Sequence, residues 1–313
     1  MGSLTARHLL TIEDLSVEEI DLVLDTALSF KEVNERTIKK LPTLRGRTVI
    51  NLFLEPSTRT RTSFEIAAKR LSADAVNMSG STSATVKGES LVDTAKTLDA
   101  MDADLVVIRH KMAGSPQILA ENMRATIING GDGKHQHPTQ ALLDVFTIRE
   151  HFGGFEGLHV GIVGDISHSR VAGSLIPALS MLGAKTTAIA PPTLLPARIE
   201  VLGAEACHDL DAVLPELDVI YMLRVQQERL ERSPFPSIRE YATLFGLNRA
   251  RLARMKKGAI IMHPGPINRG VELTSDAADA ANNLLLYQVN AGVAIRMALM
   301  YLFMGGESDE AAA

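Results

Sequence analysis

The sequence predicts an α/β protein with two doubly wound domains, each with a mostly parallel sheet flanked by helices. Short apolar runs rich in β-branched residues alternate with longer segments of helical spacing, the pattern of sheets covered on both faces. The chain has 313 residues, too many for one ordinary core and suited to two domains of about 150 residues each. Two such domains imply a cleft for a ligand.

Eight runs are predicted to be strands, in two sets that could each form a sheet. The first set comprises 48–55, 74–78, 104–110 and 125–131, and the second comprises 159–165, 185–191, 218–224 and 258–264. Gly153 and Gly154 follow a helical segment that lies between the sets. Because paired glycines interrupt regular structure, we expect the first domain to end at residue 152.

Residue patterns that are typical of helices occur before, between and after these predicted strands. Ser16 and Glu19 stand in capping-box register ahead of an apolar face that runs from Ile20 to Ala27. The segment 137–152 has similar spacing. The late apolar segment 291–306 is shorter than the about 20 residues of a bilayer-spanning helix and favours a core helix.

The segment 225–241 is polar and carries two prolines. It lacks clean periodicity, which predicts a long loop with short helical turns. The tail 307–313 is expected to be frayed.

Charge and cysteine content argue against several protein classes. Lys and Arg number 32 against 37 Asp and Glu, a formal net charge of −5, so the basic face typical of nucleic-acid binding is not indicated. The single cysteine, Cys207, cannot form an internal disulfide, which fits a reducing cytoplasm. The start "MGSLTARHLL" lacks the apolar region of a signal peptide. We expect a cytoplasmic protein with neither nucleic-acid nor membrane partners.

The stretch "LFLEPSTRTRTSFE", residues 52–65, places polar donors directly after a predicted strand. Its donors are three hydroxyls and two guanidinium groups: Ser57, Thr58, Thr60, Arg59 and Arg61. Together with the amides that begin a following helix, these groups suit a phosphate, and ligands bind at this end of parallel strands. An ordinary helix start is the alternative, because Thr62 and Glu65 also match a capping box.

Further polar groups follow later runs of the first set. His137 and Gln140 lie one helical turn apart, where an imidazole and an amide could polarise a carbonyl and hold an amino group. A metal pair of His135 and His137 is the alternative, although no nearby cysteine or carboxylate cluster completes it. Arg109 ends its run and needs either an anionic or carbonyl ligand or an internal salt bridge.

Arginines or turn-forming residues follow three runs of the second half. Arg170 follows one run, Arg224 ends another, and Pro264 and Gly265 end the last. Two arginines at strand ends suit a dicarboxylate held by paired forks, although each alone would more often be structural. The sequence "GIVGD" lacks the G-x-G-x-x-G pattern, so a nicotinamide cofactor is not favoured.

Taken together, these motifs resemble the aspartate/ornithine carbamoyltransferase family. The resemblance covers almost the whole chain, through "FLEPSTRTRTSFE", "VKGES", "VIRH", "HQHPTQALLD", "VGDISHSR", "MLRVQQER" and "HPGPINRG". It implies transfer of a carbamoyl group from carbamoyl phosphate to the α-amino group of L-aspartate, as in pyrimidine biosynthesis. It implies neither a cofactor nor a metal ion.

The resemblance also implies residue roles. The residues implied to bind carbamoyl phosphate are Ser57, Thr58, Arg59, Thr60, Arg109, His137 and Gln140. Those implied to bind aspartate are Lys87, Arg170, Arg224, Gln226, Pro264 and Gly265. The catalytic roles fall to Arg59, Thr60, Lys87, Arg109 and His137.

Assembly and domain closure are further implications of the resemblance. A neighbouring subunit would supply Ser83 and Lys87 from a mobile loop, which implies a homotrimer with shared active sites. Ion pairs across the cleft in the closed state would involve Glu55, Arg170 and Arg229. A last helix near 292–305 would return to the first domain, giving domains 1–152 plus 292–313 and 153–291. A regulatory chain or a dihydroorotase partner is left open.

Two alternatives to an aspartate enzyme accompany this resemblance. Ornithine carbamoyltransferase shares the phosphate motif and H-P-x-Q, but it has "HCLP" where this chain has "HPGP", and its Ser-Met-Gly segment is not found. Some family members have leucine where Gly265 stands, followed by Pro and then Arg, whereas Ile267 and Asn268 come before Arg269 here. That departure puts the loop position in doubt more than the substrate. A non-catalytic anion-binding relative is the second alternative.

Overall fold

The computed structural model describes residues 4–79, 89–225 and 237–305. Contacts within it group the chain into two compact units. Unit 1 comprises Met1–Leu143 with Asn290–Ala313, and unit 2 comprises Asp144–Val289. The predicted domain boundaries, after residues 152 and 291, lie somewhat further along the chain.

Unit 1 contains a four-stranded parallel sheet in the order β2-β1-β3-β4. Its strands are β1 (Thr48–Phe53), β2 (Asp74–Ser79), β3 (Leu105–His110) and β4 (Thr126–Asp132). The helices that begin in this unit before its last segment are α1 (Val17–Glu35), α2 (Thr58–Arg70), α3 (Leu91–Asp99), α4 (Ser115–Asn122) and α5 (Pro138–Phe152). All four predicted strands of the first set are confirmed.

Unit 2 contains a five-stranded parallel sheet in the order β7-β6-β5-β8-β9. Its strands are β5 (His159–Val163), β6 (Lys185–Ile189), β7 (Glu205–Cys207), β8 (Val219–Met222) and β9 (Ile260–Met262). The remaining helices are α6 (Arg170–Met181), α7 (Leu210–Val213), α8 (Ile238–Phe245), α9 (Arg249–Leu252), α10 (Ser275–Ala278) and α11 (Leu285–Met304). The doubly wound α/β class is therefore confirmed for both units.

Short sequence motifs determine where helices begin. Ser16 Oγ accepts a hydrogen bond from the Glu19 amide, and the Glu19 carboxylate accepts one from the Ser16 amide. This reciprocal capping box begins α1, as predicted, and the apolar face from Ile20 to Ala27 is buried. The polar segment 225–241 lies mostly outside the described residues, and α8 includes its last four positions.

Helix α11 is both long and apolar, and no other helix in the described part of the chain combines these two features to the same degree. By length and hydropathy alone it could cross a membrane, but 61% of its most apolar window is buried inside the protein. The buried Arg296 lies within it. A core helix was predicted here, and the observed helix begins earlier than the predicted segment.

Candidate active site

The order of strands in unit 1 marks one edge of its sheet as the place for a ligand. The chain passes from β1 to β2 on one side and then to β3 on the other side of β1. In doubly wound sheets, ligands bind beyond the carboxyl ends of the strands at such a change of direction. The segment after β1 and the end of β3 therefore flank this point.

Helix α2 begins at this edge. Ser57 is the N-cap residue and Thr58 the first helical residue. The first amides of a helix have no intrahelical acceptor, so this first turn directs N–H donors and a positive dipole end toward the edge. The alternative capping box at Thr62 and Glu65 is wrong, because Thr62 lies inside the helix; Glu65 instead pairs with Lys69 at 2.6 Å.

Arg109 stands beside the start of this segment. It pairs in register with Phe53, and its carbonyl accepts a hydrogen bond from the Leu54 amide at 2.9 Å. Its guanidinium group donates to the Gly130 carbonyl at 3.2 Å and lies 3.8 Å from the Glu55 carboxylate. The internal salt bridge, one of the two alternatives for Arg109, thus exists as a long ion pair within unit 1.

A neutral histidine neighbours Arg109. Burial, and then the charge of Lys111, lowers the pKa of His110. Its Nδ1 accepts a hydrogen bond from the Met112 amide at 3.0 Å. The ring therefore adds no cation to the edge at neutral pH.

The segment before α5 is fixed by Asp132, a residue that sequence reasoning missed. Its buried carboxylate accepts hydrogen bonds from the amides of Gly114 (2.8 Å) and Gln136 (3.0 Å). The Asn129 side-chain amide donates a third bond at 2.9 Å. The donors at Asn129 and Gln136 are close to Asp132 in sequence, whereas Gly114 lies 18 residues away. The contact between these two segments could not be read from a local motif.

His137 and Gln140 follow directly. His137 is only 3% exposed, and its carbonyl accepts the Gln140 amide at 2.9 Å as α5 begins. His135 instead is half exposed, with Nδ1 at 3.2 Å from Asp132. Among residues 4–79, 89–225 and 237–305, no group of three or more His, Cys, Asp or Glu residues could hold a metal ion.

Unit 2 repeats the same topological feature. The chain passes from β5 through β6 to β7 and then returns to β8 on the other side of β5. Arg170 is the first residue of the helix that follows β5, and it is 4% exposed. Arg224 lies just beyond β8. Both predicted arginines therefore lie beyond the carboxyl ends of the two strands that flank this point.

The Pro264–Gly265 turn follows β9, the neighbour of β8. The Gly265 amide donates to His263 Nδ1 at 2.8 Å, and His263 Nε2 lies 3.2 Å from the Glu272 carboxylate. Burial, and then the charges of Glu272 and Asp165, raises the pKa of Tyr241, so this phenol stays protonated. Sequence reasoning singled out none of His263, Glu272 and Tyr241.

The predicted site residues thus fall into two described groups. Unit 1 holds the residues assigned to carbamoyl phosphate together with Glu55: Ser57, Thr58, Arg59, Thr60, Arg109, His137 and Gln140. Unit 2 holds Arg170, Arg224, Pro264 and Gly265. Ser83, Lys87, Gln226 and Arg229 lie outside the described residues.

Two family models match the chain. Residues 7–150 match the aspartate/ornithine carbamoyltransferase carbamoyl-P binding domain, and residues 156–303 match the Asp/Orn binding domain. Among curated proteins, an aspartate carbamoyltransferase catalytic subunit from Syntrophotalea carbinolica is 57% identical over 304 residues, covering 97% of each chain.

Two solved structures show the same fold. One is aspartate transcarbamoylase from Trypanosoma cruzi in complex with carbamoyl phosphate and aspartate. It has a TM-score of 0.86 and 29% identity, covering 95% of this chain and 97% of that one. The other is ornithine carbamoyltransferase from Pyrococcus furiosus, with a TM-score of 0.88 and 30% identity over 98% and 100% of the two chains.

Proposed function

This chain belongs to the aspartate/ornithine carbamoyltransferase family, and from that premise we propose that it is an aspartate carbamoyltransferase. It transfers the carbamoyl group of carbamoyl phosphate to the α-amino group of L-aspartate. The products are N-carbamoyl-L-aspartate and phosphate. The observation that carries this proposal is the 57% identity, over 97% of each chain, to a catalytic subunit with that activity in its name.

The fold alone does not distinguish an enzyme that uses aspartate from one that uses ornithine. The solved ornithine enzyme matches with a TM-score of 0.88, at least as well as the aspartate enzyme at 0.86. The choice therefore depends on side chains in unit 2. Arg170 and Arg224 supply two guanidinium forks, which suit the two carboxylates of aspartate better than the ammonium side chain of ornithine.

Unit 1 binds carbamoyl phosphate in this proposal. The first turn of α2 supplies amides, hydroxyls and the Arg59 guanidinium group to the phosphate. Arg109 reaches the same edge of the sheet and serves both the phosphate and the carbonyl oxygen. Gln140 holds the carbamoyl amide.

Catalysis rests on orientation and preorganised donors. The neutral α-amino group of aspartate attacks the carbamoyl carbon, forming a C–N bond and a tetrahedral intermediate. Thr60, Arg109 and His137 stabilise its oxyanion. The C–O bond to phosphate then breaks, and the leaving phosphate takes the proton from nitrogen, since none of these three groups is a strong base. Donors held in place before the reaction need no reorganisation during it.

The proposed setting is cytoplasmic, and the proposed assembly is a homotrimer. Its product, N-carbamoyl-L-aspartate, places the enzyme in pyrimidine biosynthesis. Ser83 and Lys87 of one subunit complete the site of its neighbour. Glu55, Arg170 and Arg229 form the ion pairs of the closed state.

A colorimetric ureido assay with carbamoyl phosphate tests the activity. We expect product with L-aspartate and none with L-ornithine. Product with ornithine alone would establish the rival enzyme. Binding of carbamoyl phosphate without product from either amino acid would establish a non-catalytic relative.

A further inference from the structure

A buried carboxylate underlies the turn that follows β9. Glu272 and His263 have fully buried side chains, and His263 Nε2 lies 3.2 Å from Glu272 Oε1. On the other side of the ring, Nδ1 accepts the Gly265 amide at 2.8 Å. A continuous path of hydrogen bonds thus runs from the carboxylate through the imidazole to the backbone of Gly265.

These hydrogen bonds determine which nitrogen of the His263 ring carries the proton. A backbone N–H can only donate, so His263 Nδ1 must present a lone pair to Gly265. The ring proton of the neutral imidazole then lies on Nε2 and is donated to Glu272. The opposite tautomer would set the Nδ1 proton against the Gly265 N–H and leave Glu272 facing a lone pair.

The same carboxylate oxygen also binds the segment after the turn. The Asn268 amide donates to Glu272 Oε1 at 2.6 Å, and the Asn268 side-chain amide donates to the Val225 carbonyl at 3.0 Å. Val225 directly follows Arg224. Glu272 is held in turn by its own carbonyl, which accepts the Leu247 amide at 2.9 Å. One buried group therefore connects the chain after β9 with the chain after β8.

We propose that Glu272 is a positioning residue for aspartate recognition, which acts through the Nε2–H tautomer of His263 on Gly265 and through Asn268 on the segment carrying Arg224. This inference rests on the proposed role of Gly265 and Arg224 in binding aspartate. Burying a carboxylate is unfavourable, and an apolar residue would hold two loops together at least as well. The two hydrogen bonds that it accepts provide what an apolar residue cannot, namely a defined orientation of the Gly265 peptide.

Steady-state kinetics on the full chain separate positioning from general stability. We expect Glu272→Ala to raise the KM for aspartate by about tenfold or more, because even a small displacement of a binding group weakens its contact with the substrate. The KM for carbamoyl phosphate should stay within about twofold, because its residues lie in unit 1. Glu272→Gln should restore most of the aspartate affinity, because its amide oxygen accepts the same two bonds. Exposed Glu205→Ala in the same unit is the control.

Nitrogen-15 spectroscopy of histidine-labelled protein tests the tautomer without any assay of activity. His263→Asn identifies the signal. We expect a protonated Nε2 and a bare Nδ1 in the wild type and in Glu272→Gln, and mixed tautomers in Glu272→Ala. A protonated Nδ1 in the wild type would overturn the proposal, even if no Glu272→Ala protein can be obtained.

The kinetic measurements can also contradict the proposal. Equal increases in both KM values, an unchanged KM for aspartate, or a Glu272→Gln variant as impaired as Glu272→Ala would each contradict positioning by Glu272. A wild-type enzyme that carbamoylates only ornithine would instead refute the proposed function. In that case the tautomer measurement still decides whether Glu272 sets the orientation of the Gly265 turn.

Discussion

His137 shows at the residue scale how burial and position assign a role to a polar side chain. It is 3% exposed and stands immediately before α5, with its carbonyl accepting the first amides of that helix. Its backbone is therefore held by secondary structure. The residue follows β4, at the same carboxyl edge of the sheet where Arg109 lies near the end of β3 and α2 begins after β1, a position that suits a donor to a developing oxyanion.

Replacing His137 tests this role. We expect His137→Ala to lower turnover roughly 10²-fold, as for the loss of one oxyanion donor, with little change in phosphate affinity. Turnover and phosphate inhibition can be measured on the same preparation. His151→Ala, an exposed histidine on the same helix, is the control. A near-normal rate in His137→Ala would remove this residue from the mechanism.

At the scale of elements, short helices of unit 2 depend on tertiary partners. Helices α7 and α9 have four residues each, too few to be stable alone. Arg251 on α9 donates from Nη2 to the Asp211 carboxylate on α7 at 2.6 Å and also bonds the Gly246 carbonyl at 2.6 Å. The hydrogen bond from Arg251, followed by the charges of Arg251 and Arg254, lowers the pKa of Asp211.

Removal of the Asp211 charge should therefore destabilise unit 2. We expect Asp211→Asn to lower the free energy of unfolding by about 1–2 kcal/mol at pH 7. This is less than a fully buried pair would give, because Asp211 is partly solvent-screened. A carboxylate whose folded pKa is depressed stabilises above its unfolded pKa and loses that effect as pH falls through the folded pKa. The difference between variant and wild type in urea unfolding should thus shrink as the pH falls below the ordinary aspartate pKa of about 3.9.

Exposed Glu200→Gln controls for the loss of one negative charge in the same unit. Equal midpoints for Asp211→Asn and wild type at pH 7 would show that the Asp211–Arg251 pair adds no stability.

Across the whole molecule, three partly or fully buried histidines are expected to make stability depend on pH. Burial is the largest cause that lowers the pKa of His8 and His110 in unit 1 and of His159 in unit 2. The unfolded chain then takes up protons below its ordinary histidine pKa of about 6.5 while the folded chain does not. Stability should accordingly fall on acidification through that range in both units.

Urea unfolding at pH 5 and pH 7.5 measures this effect. We expect a higher midpoint at pH 7.5 in the wild type and a smaller difference in His159→Asn, which removes one such group. His151→Asn is the exposed control and should keep the wild-type difference. If the midpoint of His159→Asn differs between the two pH values as much as that of the wild type, groups other than His159 cause the pH dependence of stability.

The proposed sharing of active sites between subunits can be tested with mixed trimers. Arg59→Ala and Lys87→Ala should each be inactive as uniform trimers, but every mixed trimer of the proposed arrangement contains one site with both residues intact. Mixed trimers should thus show about one third of wild-type activity. Arg59→Ala mixed with His137→Ala is the control, because both residues act within one subunit and no intact site with full activity arises in trans. Lack of rescue in assembled hybrids would contradict sharing.

Features that depend on neighbouring residues could be predicted from the amino-acid sequence. All eight predicted strands exist, and the Ser16–Glu19 capping box begins α1. The role in phosphate binding that is proposed for residues 57–60 was predicted from their position directly after β1. Strand β7 was missed because Glu205–Cys207 is three residues long and mostly exposed, too short and polar for any pattern.

Two features became evident only in the folded chain. One is the start of α2 at Thr58, rather than after Thr62. The other is the set of contacts made by Asp132, His263 and Glu272. Asp132 binds the Gly114 amide and Asn268 binds the Val225 carbonyl, contacts between segments that the order of strands brings together. Periodicity and caps depend on residues a few positions apart and can be recognised in the sequence. Those partners of a buried polar group that come from distant segments are known only once the chain has folded.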